Sequence, residues 1–264
     1  MIKFFRKIRQ KLLTENKFSK YLIYAIGEII LVVIGILIAL SINNWNQQRK
    51  ELVKEQAILK QLKSEYEKNL VQLDEKILMR NQIIQASTSV LNYIDNPVNV
   101  NPDSLFHQLD YIIRDPTFDP IKNDVNSSGN LRLIRNIRLN QLLSNWSSDI
   151  YQVQEMELQW QKIRTEIILP FNIKTGISRD IHNLMWKDGY APPFALDKGE
   201  KVFLKINKSK KTLSIKQILN HRELEGIAAN AISFNSIGNI QSLALRNRII
   251  EILKIIKNEI KNEG

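Results

Sequence analysis

The residues of this 264-residue chain that could do chemistry are three histidines, a small cluster of acids and a run of lysines. His107 and Asp110 stand three apart, which on a helix puts both on one face and offers half of a metal site or a surface hydrogen bond. Neither His107, His182 nor His221 has ligand spacing to another. Asp115, Asp119 and Asp124 cluster in DPTFDPIKNDVNSSGN, but a hard cation needs a fuller oxygen cage, and this spacing departs from the standard calcium loop. Ser127-Ser128-Gly129 lacks the strand and G-x-S-x-G setting of a nucleophile. There Gly129 suits a positive φ and Ser128 a bond to the following backbone. No phosphate-cradling or dinucleotide glycine motif occurs. A chain without Cys has no disulfide, thiol nucleophile or thiolate ligand. The sequence therefore assigns no catalytic, cofactor-binding or metal residue, and no cofactor is expected.

Lys201, Lys205, Lys208, Lys210, Lys211, Lys216 and Arg222 form a basic stretch. It reads first as a solvated loop and, outside the cytoplasm, as a surface for lipid headgroups, anionic glycans or an acidic partner. With no groove-reading or base-stacking module beside it, no nucleic-acid partner is expected.

What must position these residues starts with an apolar stretch. From Ile29 to Leu40 there is no polar residue, and between Tyr21 and Ile42 only Glu28 is charged. A helix over 21–43 rises about 33 Å, the hydrocarbon thickness of a bilayer, so a single membrane span is expected. Residues 1–43 carry seven basic and two acidic residues, and 44–264 carry 31 and 25. The basic flank before Tyr21 favours a cytoplasmic N-terminus and an exported C-terminal domain. Ala39-Leu40-Ser41 fits a small-x-small cleavage pattern, yet the apolar run exceeds a signal peptide's, so a retained signal-anchor is expected. Residues 1–20 read as a basic amphipathic segment lying on the inner leaflet, with Lys3, Arg6, Lys7 and Arg9 as interfacial anchors and Trp45 as the anchor beyond the span. A segment of that length is too short for an output domain, so inward signalling would require a partner.

Within the span Glu28, Gly35, Ala39 and Asn43 fall on one face. The small-xxx-small pair permits close approach of a second helix, and an ionisable residue in lipid is a functional hypothesis by default. Association through this stripe, with itself or with another membrane protein, is the expected use.

After the span the pattern is helical almost throughout, and the fold class read from it is all-α. Leu59, Leu62, Tyr66, Leu70, Leu73, Ile77, Ile84 and Leu91 step by three, four or seven, with no Gly or Pro from 44 to 96. A second, short helix runs from Asn101-Pro102-Asp103 to Arg114, a third from about Ile134 to Ile168 ending before Pro170, and a last from about Arg222 to Lys261. Ser214 suits the cap of a short helix to Asn220, and residues 201–206 suit a short strand. Long helices joined by short connections predict an antiparallel bundle. The domains expected are thus 1–20, the span 21–43, and a helical domain over 44–264.

The opening segments, IGE, VVIGILIAL and INNWN within residues 1–50, resemble a family of uncharacterised single-span proteins of the Gram-negative inner membrane, classed as a domain of unknown function. Asp115-Pro116-Thr117-Phe118 and Ser128-Gly129-Asn130-Leu131-Arg132-Leu133-Ile134 resemble its weaker second block, and Arg222-Glu223-Leu224-Glu225 is a fainter echo. The resemblance implies an inner-membrane location and a helical extracytoplasmic domain, and transfers no catalytic residue. The expected function is non-catalytic: a membrane-anchored helical protein binding an envelope protein or glycan, as sensor or scaffold. The competing reading is an envelope hydrolase whose site spacing does not reveal.

Overall fold

The computed structural model describes residues 18–121, 130–187, 189 and 201–260. Among these the chain is helical, with a lone bridge at Val202 and no strand, so the short strand expected over 201–206 does not form. Helix α1 is Phe18–Asp95, α2 Pro102–Ile112, α3 Ile137–Ile163, α4 Leu169–Lys174, α5 Ser178–Lys187, α6 Ile215–Leu219 and α7 Arg222–Glu259. Two compact units divide the chain at Ile58 and Leu59.

In the first unit α1 is long and apolar enough to cross a membrane. Its most apolar 18 residues have a mean hydropathy of 2.8, and none of their side chains is buried. Ile29 to Leu40, save Gly35 and Ala39, are large apolar side chains standing about half exposed or more. Basic residues Lys3, Arg6, Lys7 and Arg9 lie outside the described residues.

In the second unit α1 packs with α3 and α7. Its buried residues include 59, 62, 66, 69, 73, 76, 80, 83, 87 and 90, alternating steps of three and four, with Met79 and Ala86 buried beside them. That is the seam of a heptad packing. The stripe expected from apolar residues alone drifts off it, so Leu70, Ile77, Ile84 and Leu91 are half-buried. Polar Asn69, Lys76, Arg80 and Ser87 take the buried places between them.

Helix order corrects the expected antiparallel arrangement. Asp74–Arg246, Arg80–Ser242 and Asn81–Asn239 pair α1 with α7 in opposite directions. Asn136–Glu259, Arg138–Glu251 and Asp149–Arg248 do the same for α3 and α7. The Tyr66 and Trp146 rings, 4.7 Å apart, and the Arg80–Glu157 contact show α1 and α3 running parallel. Parallel neighbours require the chain between them, which holds α2, to return to the start of the bundle.

The third helix does not stop before Pro170. A π-helical turn at Arg164–Ile168 intervenes, in which the Leu169 N–H reaches the Arg164 carbonyl five residues back. Pro170 then lies in the first turn of α4, where its missing N–H leaves no bond unmade. The widened turn lets the chain pass a residue that would otherwise end the helix. Ser214 does cap α6, its hydroxyl accepting from the Gln217 N–H in a reciprocal capping box. Around α2, α4, α5 and α6 a second core gathers Ile83, Val90, Leu105, Phe171, Ile181 and Leu224.

Candidate functional site

Two polar residues of the α1 seam, Asn69 and Arg80, reach the segment 113–121. Within it Pro116, Phe118 and Pro120 are buried while Thr117, Asp119 and Ile121 are exposed, the alternation of an extended chain laid on a surface. An extended segment with two prolines has no sheet to satisfy its backbone, so partners must come from side chains. Arg164 Nε donates to the Ile113 carbonyl at 2.6 Å and Trp160 Nε1 to that of Arg114 at 3.0 Å. Arg80 Nη2 donates to the Pro116 carbonyl at 3.1 Å, and the Phe118 N–H donates to Glu157 Oε2 at 3.0 Å. Asn69 closes the far end with both amide atoms, accepting from the Ile121 N–H at 2.8 Å and donating to its carbonyl at 3.2 Å.

At the centre Arg80 and Glu157 form an ion pair, their side chains 2% and 5% exposed. Arg80 Nη1 donates to Ser242 Oγ at 2.7 Å, so α1, α3, α7 and the extended segment all meet at one guanidinium. Gly238 on α7 makes the space: a Cβ there would stand 3.3 Å from Arg80 Nε and 3.4 Å from Cδ. Burial pushes the Glu157 carboxyl up to about 7, against the pull of Arg80, of the Phe118 N–H and of Lys76. Burial also moves Arg80 down, with Glu157 opposing, and a guanidinium stays charged in either case. Taking both charges out of water opposes the pairing at each partner.

A small cleft of about 240 Å³ opens beside Glu157, bordered by Thr117, Gln154, Leu158 and Gln161. It is the place where a perturbed carboxyl approaches solvent.

The structure does not bring the sequence-derived candidates together into a site. Asp110 spends its carboxylate on Arg114 at 3.2 Å, while the His107 ring stands edge-on to Tyr111 at 5.1 Å. Asp115 accepts from Thr117 at 2.8 Å and from Gln161 at 3.4 Å, and Arg164 lies 3.8 Å away. Asp119 is exposed, and Asp124, Ser127, Ser128 and Gly129 lie outside the described residues. Among the described residues no three His, Asp or Glu side chains lie close enough to share a metal ion. On α1, Gly35, Ala39 and Asn43 are exposed and Glu28 is half-buried; nothing stands within 4 Å of a Cβ added at Gly35. Trp45 is exposed as well. The basic stretch splits: Lys201 to Lys211 lie on an irregular segment, Lys216 within α6 and Arg222 at the start of α7.

Sequence reasoning passed over Arg80, Glu157 and Asn69. The signal was present: continuing the three-four alternation from Leu59, Leu62 and Tyr66 through Leu73 puts Asn69, Lys76 and Arg80 at seam positions.

Residues 28–102 match the model of a family of unknown function, DUF6090. The match holds VVIGILIAL, INNWN, Asn69 and Arg80; residues 1–27 and the DPTF and SGNLRLI segments fall outside it. No curated protein and no solved structure matches the chain.

Proposed function

We propose that this chain is a non-catalytic, membrane-anchored helical protein that binds another component of the cell envelope, as sensor or scaffold. The reading is carried by the apolar stretch of α1, in which none of the most apolar 18 residues buries a side chain. A helix that hydrophobic and that uncovered calls for lipid around it. The basic flank before Tyr21 orients it with the N-terminus in the cytoplasm and 44–264 in the periplasm, the anchor retained in the inner membrane. Support for a binding role comes from how the polar core is used. Both Glu157 oxygens, the Arg80 fork and the Asn69 amide are committed to holding one extended segment and its neighbours.

A reporter active only outside the cytoplasm, fused after Gly264, is expected to be active; activity of a cytoplasmic reporter alone, or a mature chain beginning at Ile42, overturns the topology. Crosslinking in intact cells then identifies the neighbour.

One observation favours a hydrolase instead: the Glu157 carboxyl, held up to about 7, borders a cleft. Glu157→Gln keeps an acceptor for the Phe118 N–H. Complete loss of cellular function in that variant, with fold and export unchanged, selects the enzyme.

A further inference from the structure

A larger cleft, of about 510 Å³, lies at the junction of α5 and the segment 203–208, far in sequence from the Arg80 network. Its walls are fixed. The Leu204 N–H donates to the Trp186 carbonyl at 3.3 Å, and Arg179 Nη2 donates to that of Ile206 at 2.8 Å. The Ser209 N–H donates to Asp180 Oδ1 at 2.9 Å. Gly189, at φ 76°, lets the Phe203 ring come so close that a Cβ there would stand 2.5 Å from it.

The lining is chemically mixed: Asn183, Trp186, Lys187, Phe203, Lys205 and Asn207. Phe203 keeps 64% of its surface exposed, an uncovered aromatic on a segment held in place. Lys187 and Lys205 are exposed and make no ion pair among the described residues, whereas Lys208 is tied to Asp103 at 2.8 Å. Two aromatic walls, two amides and two available cations at a cleft of ligand size describe a small set of ligands. Aromatic faces suit the C–H face of a sugar ring, amides suit hydroxyl and acetamido groups, and lysines suit a carboxylate. An acidic peptide would use the lysines and leave the ring and amides without a matching group.

We propose that this cleft binds an acidic saccharide, its ring against Phe203 and Trp186, its carboxylate at Lys187 and Lys205, and its acetamido or hydroxyl groups at Asn183 and Asn207. The assignment rests on the envelope reading above for the source of such a sugar, and names the class of ligand.

The test is calorimetry on the full chain in phosphatidylcholine nanodiscs. The probes are the disaccharide of N-acetylglucosamine and N-acetylmuramic acid, its neutral counterpart N,N′-diacetylchitobiose, and triglutamate. The acidic disaccharide is expected to bind saturably, with N,N′-diacetylchitobiose about tenfold weaker and the affinity falling as salt is raised. Phe203→Ala and Lys205→Glu, both at exposed positions, should each weaken it about tenfold with the circular-dichroism melt unchanged. Absence of saturable binding, or binding by both variants as tight as that of the wild type, overturns the proposal; tightest binding of triglutamate overturns it too and makes the cleft an acidic-peptide site. The outcome is separable from the topology: a cytoplasmic reporter signal with intact disaccharide binding removes the envelope reading and leaves the site standing.

Discussion

At the scale of single residues, Arg80 and Glu157 decide how the bundle holds the segment 113–121. Each is buried, so removing one leaves the other charge without its partner. Glu157→Leu is expected to lower stability by about 3–5 kcal/mol in urea unfolding, and the double change Arg80→Met, Glu157→Leu to recover most of that loss. A double variant no more stable than the single one would show that the pair does not act as a unit. The carboxyl also sets a pH dependence. Burial holds its proton to about 7, against 4.5 in the unfolded chain. Between those values the native state binds more protons, so the group's contribution is full below about 4.5, falls as pH rises and is flat above 7. Relative to Glu157→Gln, which does not titrate, the wild-type urea midpoint is expected to drop from the acid to the alkaline end of that window.

Elements pose a different question, namely which face of the apolar stretch admits a second helix. Within the apolar stretch of α1, Glu28, Gly35, Ala39 and Asn43 share a face, and Gly35 has open space around its Cα. Close approach of a second helix needs that space. Gly35→Leu is therefore expected to weaken association measured in membranes, while Val33→Leu, on another face, leaves it unchanged; equal behaviour of the two would remove the case for this stripe. At the other end of the chain, the α6 capping box joins Ser214 to Gln217. Ser214→Ala should cost about 1 kcal/mol of unfolding free energy in urea, and an effect no larger than that of a surface Ser→Ala control would mean that α6 is held by Ile218 and Leu219 alone.

On the scale of the whole molecule, the α1, α3 and α7 packing rests on seams that are mostly apolar around the Arg80 network, and His107, Asp115, Asp119 and His182 lie off those three helices. Leu73 is fully buried whereas Leu70 is half-buried, so Leu73→Asp is the change that puts an unpaired charge into the seam. It is expected to abolish folding and cellular function together. His107→Ala, Asp115→Ala, Asp119→Ala and His182→Ala, made singly, are expected to leave cellular function largely intact. Total loss in one of those four, with fold and export level unchanged, would point to catalysis.

The apolar stretch, the helix ends at Asp95 and Pro102, and the Ser214 cap were legible in the sequence because each depends on a few adjacent residues: hydropathy, a proline, a hydroxyl before a helical run. Other features were decided in three dimensions. Pro170 reads as a stop, since the π-turn that carries the helix past it has no local signature. The parallel run of α1 and α3 depends on where α2 and the chain around it return, which periodicity does not encode. The three-four alternation carries Arg80 and Asn69 onto the seam, but it does not encode the distant groups that must accept a polar side chain there. Those groups are the Pro116 carbonyl, Glu157, Ser242 and the Ile121 backbone, between 36 and 162 residues away, and only folding brings them within hydrogen-bond reach.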